Sequence, residues 1–361
     1  GLSEEFGEVE GRRASSNAGR NEIRDGADGI TRGLSQPSQT HGTYGGLMPL
    51  LSHYTTHAGL KEIARTRTLW ATNFLDLNDK SEFFYSFGFL SNAAIQMVMG
   101  LIPDENRRKI NNLEGDSTRA VKQLKQRLRS TDGYGQLYVV SFARGRTDYE
   151  NRNGIRTLWE LYGHHHEGYC LQFDEYDVRR TLRLDSERSN YESVGMAEVR
   201  YGVDENEHAY RDLCFQLSQQ ILERVFHTRP DIEVEPQWEQ MWTLNDFYRK
   251  LMWYCATHKH PCFEDEREVR IFAYPSASSD TRVFTGTAIK KRVRTCPRGR
   301  KYIVLGENLR PGLIPRRIIV GTKADHAIDS IRADYFPQPG IDPVFNCSPM
   351  PEVAYADMPI A

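Results

Sequence analysis

Long apolar runs are missing from this sequence. No run approaches the roughly 18–20 apolar residues that a membrane-spanning helix needs, and the chain does not start with the basic-then-apolar segment of a secretion signal. An excess of one charge is missing too, because 47 Lys and Arg residues nearly balance 49 Asp and Glu residues. We therefore expect no membrane partner, and the net charge alone gives no reason to expect nucleic acid binding.

Disulfide and dinucleotide-binding signatures are also absent. The 6 cysteines are scattered over 361 residues, which favours reduced thiols and a cytoplasmic location. No Gly-rich phosphate loop follows the first predicted strand, and strands and helices do not alternate strictly, which argues against a doubly wound parallel sheet. The mixture of both element types predicts an α+β fold.

Metal-ligand frameworks are lacking as well. The histidines at 164–166 are consecutive, so their side chains should diverge instead of meeting at one ion. The Cys and His residues within 255–262 follow the spacing C-x2-H-x-H-x-C, which matches no standard zinc framework. No clustered Asp and Glu site of the kind that nucleases use is visible. We therefore predict no metal site.

Enough apolar material is present for a sizeable core, since 39% of the residues are hydrophobic and 11% are aromatic. Residues 1–46 are rich in Gly and polar residues, which predicts a disordered leader. Residues 47–336 are expected to form a single α+β catalytic-type domain. The Pro-rich residues 337–361 are expected to form an irregular C-terminal tail.

Hydrophobic periodicity locates the elements. Strands are predicted at LMPLLSHYTT, TLWATNF, QLYVVSFA, EGYCLQFD, EREVRIFAY, KYIVL and RRIIVGT. Helices are predicted at AGLKEIART, from 78 to about 100, and over 103–130, 205–227, 236–258 and ADHAIDSIRADYF. Asp79 and Glu82 have the spacing of a capping box for the second helix, and 144–154 is expected to be a polar loop.

The stretch EREVR holds candidate catalytic residues. In a strand, Glu266, Glu268 and Arg270 would share one face, with successive carboxylates about 7 Å apart. Carboxylates placed in this way can do acid–base work on a sugar or stabilise an oxocarbenium ion. The alternative is an edge strand whose charged face is solvated.

The stretch LSHYTT is a candidate binding site. His53 stands at the end of an apolar run, where it is either a buried core histidine or a hydrogen-bonding group for a ribose hydroxyl. Tyr54, Thr55 and Trp70 would add hydroxyl groups and a stacking face. Tyr162, three residues after a tryptophan on a short helix, either packs in the core or lines a pocket.

The segment KKRVRTCPRGRK at 290–301 contains seven basic residues. It is either a solvated loop or a patch that faces phosphate or nucleic acid.

Taken in order, the motifs LSHYTT, LWATN, LNDKSEF, SFA, LWELYGHHHEG, EREVR and RRIIVGT resemble those of a widespread bacterial family that is labelled only as a domain of unknown function. The resemblance extends over about residues 50–325. The order of the motifs matches that of the family, and the long polar loop at 144–154 departs from it.

That family is similar, more distantly, to the ADP-ribosyltransferase superfamily. The similarity implies an ADP-ribosyltransferase-like split β-sheet core with inserted and flanking helices, and NAD as substrate. It implies that His53 hydrogen-bonds a ribose of NAD, that Glu268 contacts the nicotinamide ribose, and that Glu266 orients the acceptor. Arg270 would keep Glu268 ionised. The resemblance leaves the nicotinamide-stacking residue open among several aromatics, and the complete predicted NAD-binding set is His53, Tyr54, Thr55, Trp70, Asn78, Tyr85 and Tyr162.

The function that these resemblances imply is that of an NAD-dependent ADP-ribosyltransferase-like toxin or phage-defence effector. Its acceptor would be an unidentified macromolecule, nucleic acid or protein, and a neutralising partner protein would fit such a system. The alternatives are an NAD glycohydrolase and a non-catalytic nucleic-acid-binding sensor. The string His-Gly-Thr at 41–43 is rejected as the site because its surroundings cannot form the strand that such a histidine needs.

Overall fold

The computed structural model describes residues 49–77, 81–102, 112–129, 136–227, 244–276, 289–325, 330–331 and 351–358. The strands in these ranges are β1 (Leu50–Thr55), β2 (Leu69–Asn73), β3 (Tyr138–Ala143), β4 (Tyr169–Asp174), β5 (Ser189–Glu198), β6 (Arg200–Tyr201), β7 (His258–Lys259), β8 (Glu268–Pro275), β9 (Ile289–Lys290), β10 (Arg294–Thr295), β11 (Lys301–Leu305), β12 (Arg317–Val320) and β13 (Glu352–Tyr355).

The helices in the same ranges are α1 (His57–Thr66), α2 (Ser81–Leu101), α3 (Leu113–Arg129), α4 (Asp148–Asn153), α5 (Arg156–Leu161), α6 (Glu175–Arg188), α7 (His208–His227) and α8 (Leu244–Thr257). Two short 3-10 helices cover Phe74–Asp76 and Pro261–Glu266. The predicted α+β class is therefore confirmed. The predicted leader, the string at 41–43, Asn78 and Asp79 lie outside the described residues.

Most strands belong to one mixed sheet with the order β10-β11-β2-β3-β1-β4-β12-β13. Strand β8 pairs with β3 along the whole of β3, and β5 pairs with β8. The sheet is split at one place, because β1 and β2 share the same edge of β3. Strand β1 pairs with β3 at Ala143, whereas β2 pairs with it at Tyr138 and Val139. Residues 140–142 between these contacts pair with neither strand, which leaves a gap in the sheet.

The two faces of the sheet bury different clusters. Because side chains alternate along a strand, β3 and β8 contribute Val139 and Phe272 to a cluster with α2, α7 and α8. Their neighbours Val140 and Ile271 point to the opposite face, where they pack with side chains of α1 and α6. Glu268 and Arg270 thus lie on the face that the long helices cover.

Three predictions are wrong in detail. Glu266 is not on a strand with Glu268, because it ends a 3-10 helix and Arg267 then takes a left-handed conformation with φ of 47° before β8 begins. The strand is not a solvated edge either, since all of β8 is buried between two neighbours.

The third difference concerns the segments predicted to be irregular. The loop at 144–154 contains α4, which begins with a capping box between Thr147 and Glu150. The C-terminal tail contains β13, which adds to the sheet in parallel with β12. Short polar helices and isolated edge strands carry too weak a hydrophobic pattern to be recognised in a single sequence.

Candidate functional site

A cavity of about 240 Å³ opens in the gap between β1 and β2. The two splayed strands form its sides, β3 and β8 form its floor, and α5 and the second 3-10 helix close one end. The residues that line it are Ser52, His53, Tyr54, Trp70, Thr72, Leu77, Glu82, Val139, Val140, Ser141, Phe142, Ala143, Leu158, Tyr162, Glu266, Glu268 and Arg270. Side chains from both LSHYTT and EREVR thus meet in one cavity.

His53 is positioned by the gap itself. Its Nδ1 atom donates a hydrogen bond of 3.0 Å to the backbone carbonyl of Ser141, a residue of β3 that β1 leaves unpaired. Burial lowers the pKa of His53, against the opposing effect of this hydrogen bond, so the ring is neutral at neutral pH. A neutral ring whose Nδ1 carries the proton keeps Nε2 as a hydrogen-bond acceptor.

Glu268 is held by two cations. Arg270 donates from Nε and Nη2 to its two carboxylate oxygens at 2.6 and 2.8 Å, and Nζ of Lys259 lies 3.2 Å from Oε2. Burial alone would raise the pKa of Glu268, but the charges of Arg270 and Lys259 outweigh burial and hold this pKa at about 2. Glu268 is therefore an ionised carboxylate at neutral pH.

Glu266 differs from Glu268 in its proton affinity. Its Oε2 atom accepts from Lys259 at 2.5 Å and its Oε1 atom accepts from the hydroxyl of Tyr162 at 3.0 Å. Burial is the main effect and raises the pKa of Glu266, whereas the Lys259 ammonium and the Tyr162 hydrogen bond lower it. The two carboxylates in the cavity thus have pKa values shifted in opposite directions, which is the arrangement that separates a proton-transferring group from a permanently charged one.

A third carboxylate completes the cluster. Glu82 of α2 lies 2.6 Å from Nη2 of Arg270 and 2.9 Å from Nζ of Lys259. Both carboxylate oxygens of Glu82 thus contact cations, and Asp79, the predicted partner of Glu82 in a capping box, lies outside the described residues. With all groups charged, three carboxylates face two cations, and the cluster keeps one negative charge in a buried setting.

The remaining predicted residues separate into two groups. Tyr54 lines the cavity, but its hydroxyl accepts from the backbone N–H of Ile155 at 2.6 Å, which fixes it in place. Thr55 and Tyr85 do not line the cavity, and Tyr85 instead packs edge-on against the ring of His260. Asn78 lies outside the described residues.

Two predicted aromatics stand at the cavity with large exposed surfaces. Trp70 is 45% exposed and Tyr162 is 44% exposed. By contrast Trp159, which the spacing predicts on the same helical face as Tyr162, is fully buried and packs against Cys170 and Ile319. Trp70 and Tyr162 therefore remain as the candidates for stacking on a ligand, and Tyr85 is displaced from that role by its position.

Lys259, which contacts all three carboxylates, is a residue of the cluster that sequence reasoning missed. It lies in the run Thr-His-Lys-His-Pro, whose polarity and histidines suggest a surface loop or a weak metal motif. In the structure its side chain is buried and is surrounded by carboxylates. Its position at the end of the long apolar helix α8 is the one sequence signal that could have placed it near the core.

The histidines and cysteines of 164–166 and 255–262 make contacts other than to a metal. The histidines at 164–166 form a turn with positive φ, and His166 stacks on Trp159. Cys255 is a buried free thiol, and His258 stacks on Tyr254. Over the ranges that the structure describes, no three His, Cys, Asp or Glu side chains are placed to hold a metal ion.

The fold and the site define a mixed α+β protein with a charged cavity in a split sheet. Residues 158–271 match the model of a family described as "Protein of unknown function (DUF2971)". The matched range spans LWELYGHHHEG and EREVR, and the prediction of a domain of unknown function is confirmed over residues 158–271. It does not reach LSHYTT, LWATN or RRIIVGT. No curated protein and no solved structure matches the chain.

No helix in the described part of the chain has the length and apolar character needed to cross a bilayer.

Proposed function

We propose that this protein cleaves the nicotinamide–ribose bond of NAD and transfers the ADP-ribose group to a macromolecular acceptor. The observation that supports this most is that His53 of β1 and Glu268 of β8 line one cavity in the gap of the sheet. A neutral histidine and an ionised carboxylate are a hydrogen-bonding and a charge-stabilising group of the kind that a reacting ribose needs. The proposal agrees with the resemblance drawn from the sequence.

The size of the cavity suits part of NAD. Sites for drug-sized ligands have volumes of about 300–1,000 Å³, and this cavity of about 240 Å³ is somewhat smaller. A nicotinamide ribose would occupy it, with the rest of the dinucleotide outside. Trp70 and Tyr162 stand at the cavity with exposed rings, so one of them would stack on the nicotinamide.

The charges of the cavity fit the proposed reaction. When the bond between C1′ and the nicotinamide nitrogen breaks, the electron pair leaves with nicotinamide and positive charge develops on the ribose. The cluster of Glu82, Glu266 and Glu268 with its two cations keeps one negative charge, which stabilises that ribosyl cation more than the bound substrate. The acceptor nucleophile then forms a bond to C1′, and Glu266, whose pKa is raised, takes the proton.

Purified protein, a cell extract and NAD labelled in the adenylate group test this function. We expect label to enter a macromolecule and nicotinamide to be released in equal amount. Glu268→Gln should lower both by about 10²–10³-fold, the usual cost of one preorganised electrostatic group.

Asp185→Asn is the matched control for removal of a buried carboxylate. Asp185 is buried and paired with Lys291 at 2.8 Å, but it does not line the cavity. Under conditions in which the Asp185→Asn variant is folded, its NAD turnover should equal that of the wild type. Equal turnover by wild type and folded Glu268→Gln would overturn the proposal, and nicotinamide release without labelled macromolecule would assign the glycohydrolase reaction instead.

A further inference from the structure

An aromatic pair extends from the cavity along the outside of the sheet. The rings of Trp70 and Tyr302 are stacked with their centroids 4.3 Å apart and their planes 21° from parallel. Trp70 lines the cavity and is 45% exposed, and Tyr302 is half-buried. The exposed part of these rings offers an aromatic surface on which a planar ligand could stack.

Strand register continues this surface away from the cavity. Tyr302 of β11 is opposite Thr72 of β2 on one side and Arg294 of β10 on the other. Side chains that are paired across strands lie on the same face, so Thr72, Tyr302 and Arg294 form a row on the cavity face. The alternate residues of β2 and β11, such as Ala71 and Ile303, are fully buried on the opposite face.

The end of this row is strongly basic. Residues 290–301 hold seven Lys and Arg residues, and residues 289–306 include no Asp or Glu. Within this segment Lys291 is paired with Asp185 and Arg294 with Glu307. The side chains of Lys290, Arg292 and Arg298 are exposed, and Arg298 lies in the turn between β10 and β11. A net positive charge therefore lies next to the aromatic pair.

We infer that Trp70, Tyr302 and the basic hairpin β10–β11 bind single-stranded nucleic acid and hold one of its bases at the mouth of the cavity. Rings that accept bases by stacking, beside cations that contact phosphates, are the combination with which proteins hold single strands of any sequence. A duplex offers no free base faces to such a pair. The inference rests on the proposed function for one point only, which is that the strand would then be the acceptor of ADP-ribose.

Fluorescence anisotropy measures this binding without NAD. The probes are labelled mixed-sequence single strands of DNA and of RNA, about 12 nucleotides long, within the range that single-strand modules cover, and a duplex of the same sequence. We expect the single strands to bind more tightly than the duplex. Tyr302→Ser should weaken single-strand binding by roughly tenfold or more at every salt concentration.

Arg298→Ser tests the phosphate interaction separately. The plot of log affinity against log salt concentration has a negative slope. Arg298→Ser should make this slope less steep, by about 0.7 for each phosphate that the arginine neutralises in the wild type. The matched controls are Tyr355→Ser, an exposed tyrosine of the strand at the other end of the sheet order, and Arg180→Ser, an exposed arginine of α6. Both controls should bind as the wild type does.

Binding that is unchanged in both Tyr302→Ser and Arg298→Ser would overturn the inference, as would duplex binding equal to that of the single strand or no binding to either. Circular dichroism confirms that each variant is folded. If the variants behave as expected but no NAD turnover is found, the binding surface stands and the proposed function fails. If turnover is found without nucleic acid binding, the acceptor is of another class and the inference fails alone.

Discussion

Replacing Glu268 by glutamine should lower the free energy of unfolding by an amount that depends on pH. The pKa of this carboxyl is held at about 2 in the folded protein, compared with 4.5 for the free group. At 1.36 kcal/mol per pH unit, this difference corresponds to about 3 kcal/mol. Removing one member of a buried ion pair costs a similar amount, roughly 3–5 kcal/mol.

The sign follows from the direction of the pKa shift. A carboxyl with a depressed folded-state pKa stabilises the protein fully above its unfolded-state pKa of 4.5. That stability is lost as the pH falls from about 4.5 towards 2. At pH 7 the Glu268→Gln variant should therefore be about 3 kcal/mol less stable than wild type, and the two proteins should converge as the pH falls below about 4.5.

Urea denaturation followed by far-UV circular dichroism, repeated from pH 7 down to about 3, provides the measurement. Glu114→Gln is the control, because Glu114 is an exposed carboxylate on α3 and should change stability by less than about 0.5 kcal/mol at any pH. A difference of under about 1 kcal/mol at pH 7, or one that persists unchanged below pH 4.5, would refute the assignment of Glu268 as a clamped, ionised carboxylate.

Three further predictions concern the same cavity and its surroundings. NAD turnover should fall in acid at a higher pH than an ordinary glutamate would produce, because burial raises the pKa of Glu266, and Glu266→Gln should remove this acid limb from the pH–rate profile. Tyr162→Phe should move the limb to still higher pH, since the hydrogen bond that it removes lowers the pKa of Glu266; an unmoved limb would contradict the assignment. Trp159→Ala should cost about 3–5 kcal/mol in urea denaturation, whereas Trp70→Ala, at an exposed position, should cost much less; equal costs would contradict the described packing.

Much of the element order could be predicted because the strands and long helices carry strong hydrophobic patterns. The strands at KYIVL and RRIIVGT and the long helix after Asp79 all have the required periodicity, and the structure contains each of them. Segments with weak patterns escape such prediction, as β13 and α4 show. A polar capping-box helix is set by side-chain to backbone hydrogen bonds, which hydrophobic periodicity does not detect.

The candidate site could be predicted only in part. The motifs and a resemblance place His53 and Glu268 in one cavity, but the reason that they meet is the pairing of β3 with both β1 and β2. Such long-range pairing has no local signal in the sequence. Lys259 escapes prediction because a buried lysine is rare and becomes favourable only when carboxylates from distant segments surround it.

Glu266 lines the cavity although the geometry from which it was predicted is wrong. The strand pattern predicts it beside Glu268 on one face, but the left-handed Arg267 separates the two and turns the chain between them. Both carboxylates nevertheless reach Lys259. Of these two carboxylates, only Glu268 also contacts Arg270. This second cation explains why the pKa of Glu268 is lowered whereas burial raises the pKa of Glu266.

The most direct test of the central claim is a crystal structure of the Glu268→Gln variant with NAD, because slow turnover should keep the dinucleotide intact. We predict that the nicotinamide ribose lies in the gap between β1 and β2, with a hydroxyl group within hydrogen-bond distance of His53 and the nicotinamide ring against Trp70 or Tyr162. NAD bound with its nicotinamide ribose outside this cavity, or no bound NAD at concentrations at which the wild type turns it over, would contradict the claim.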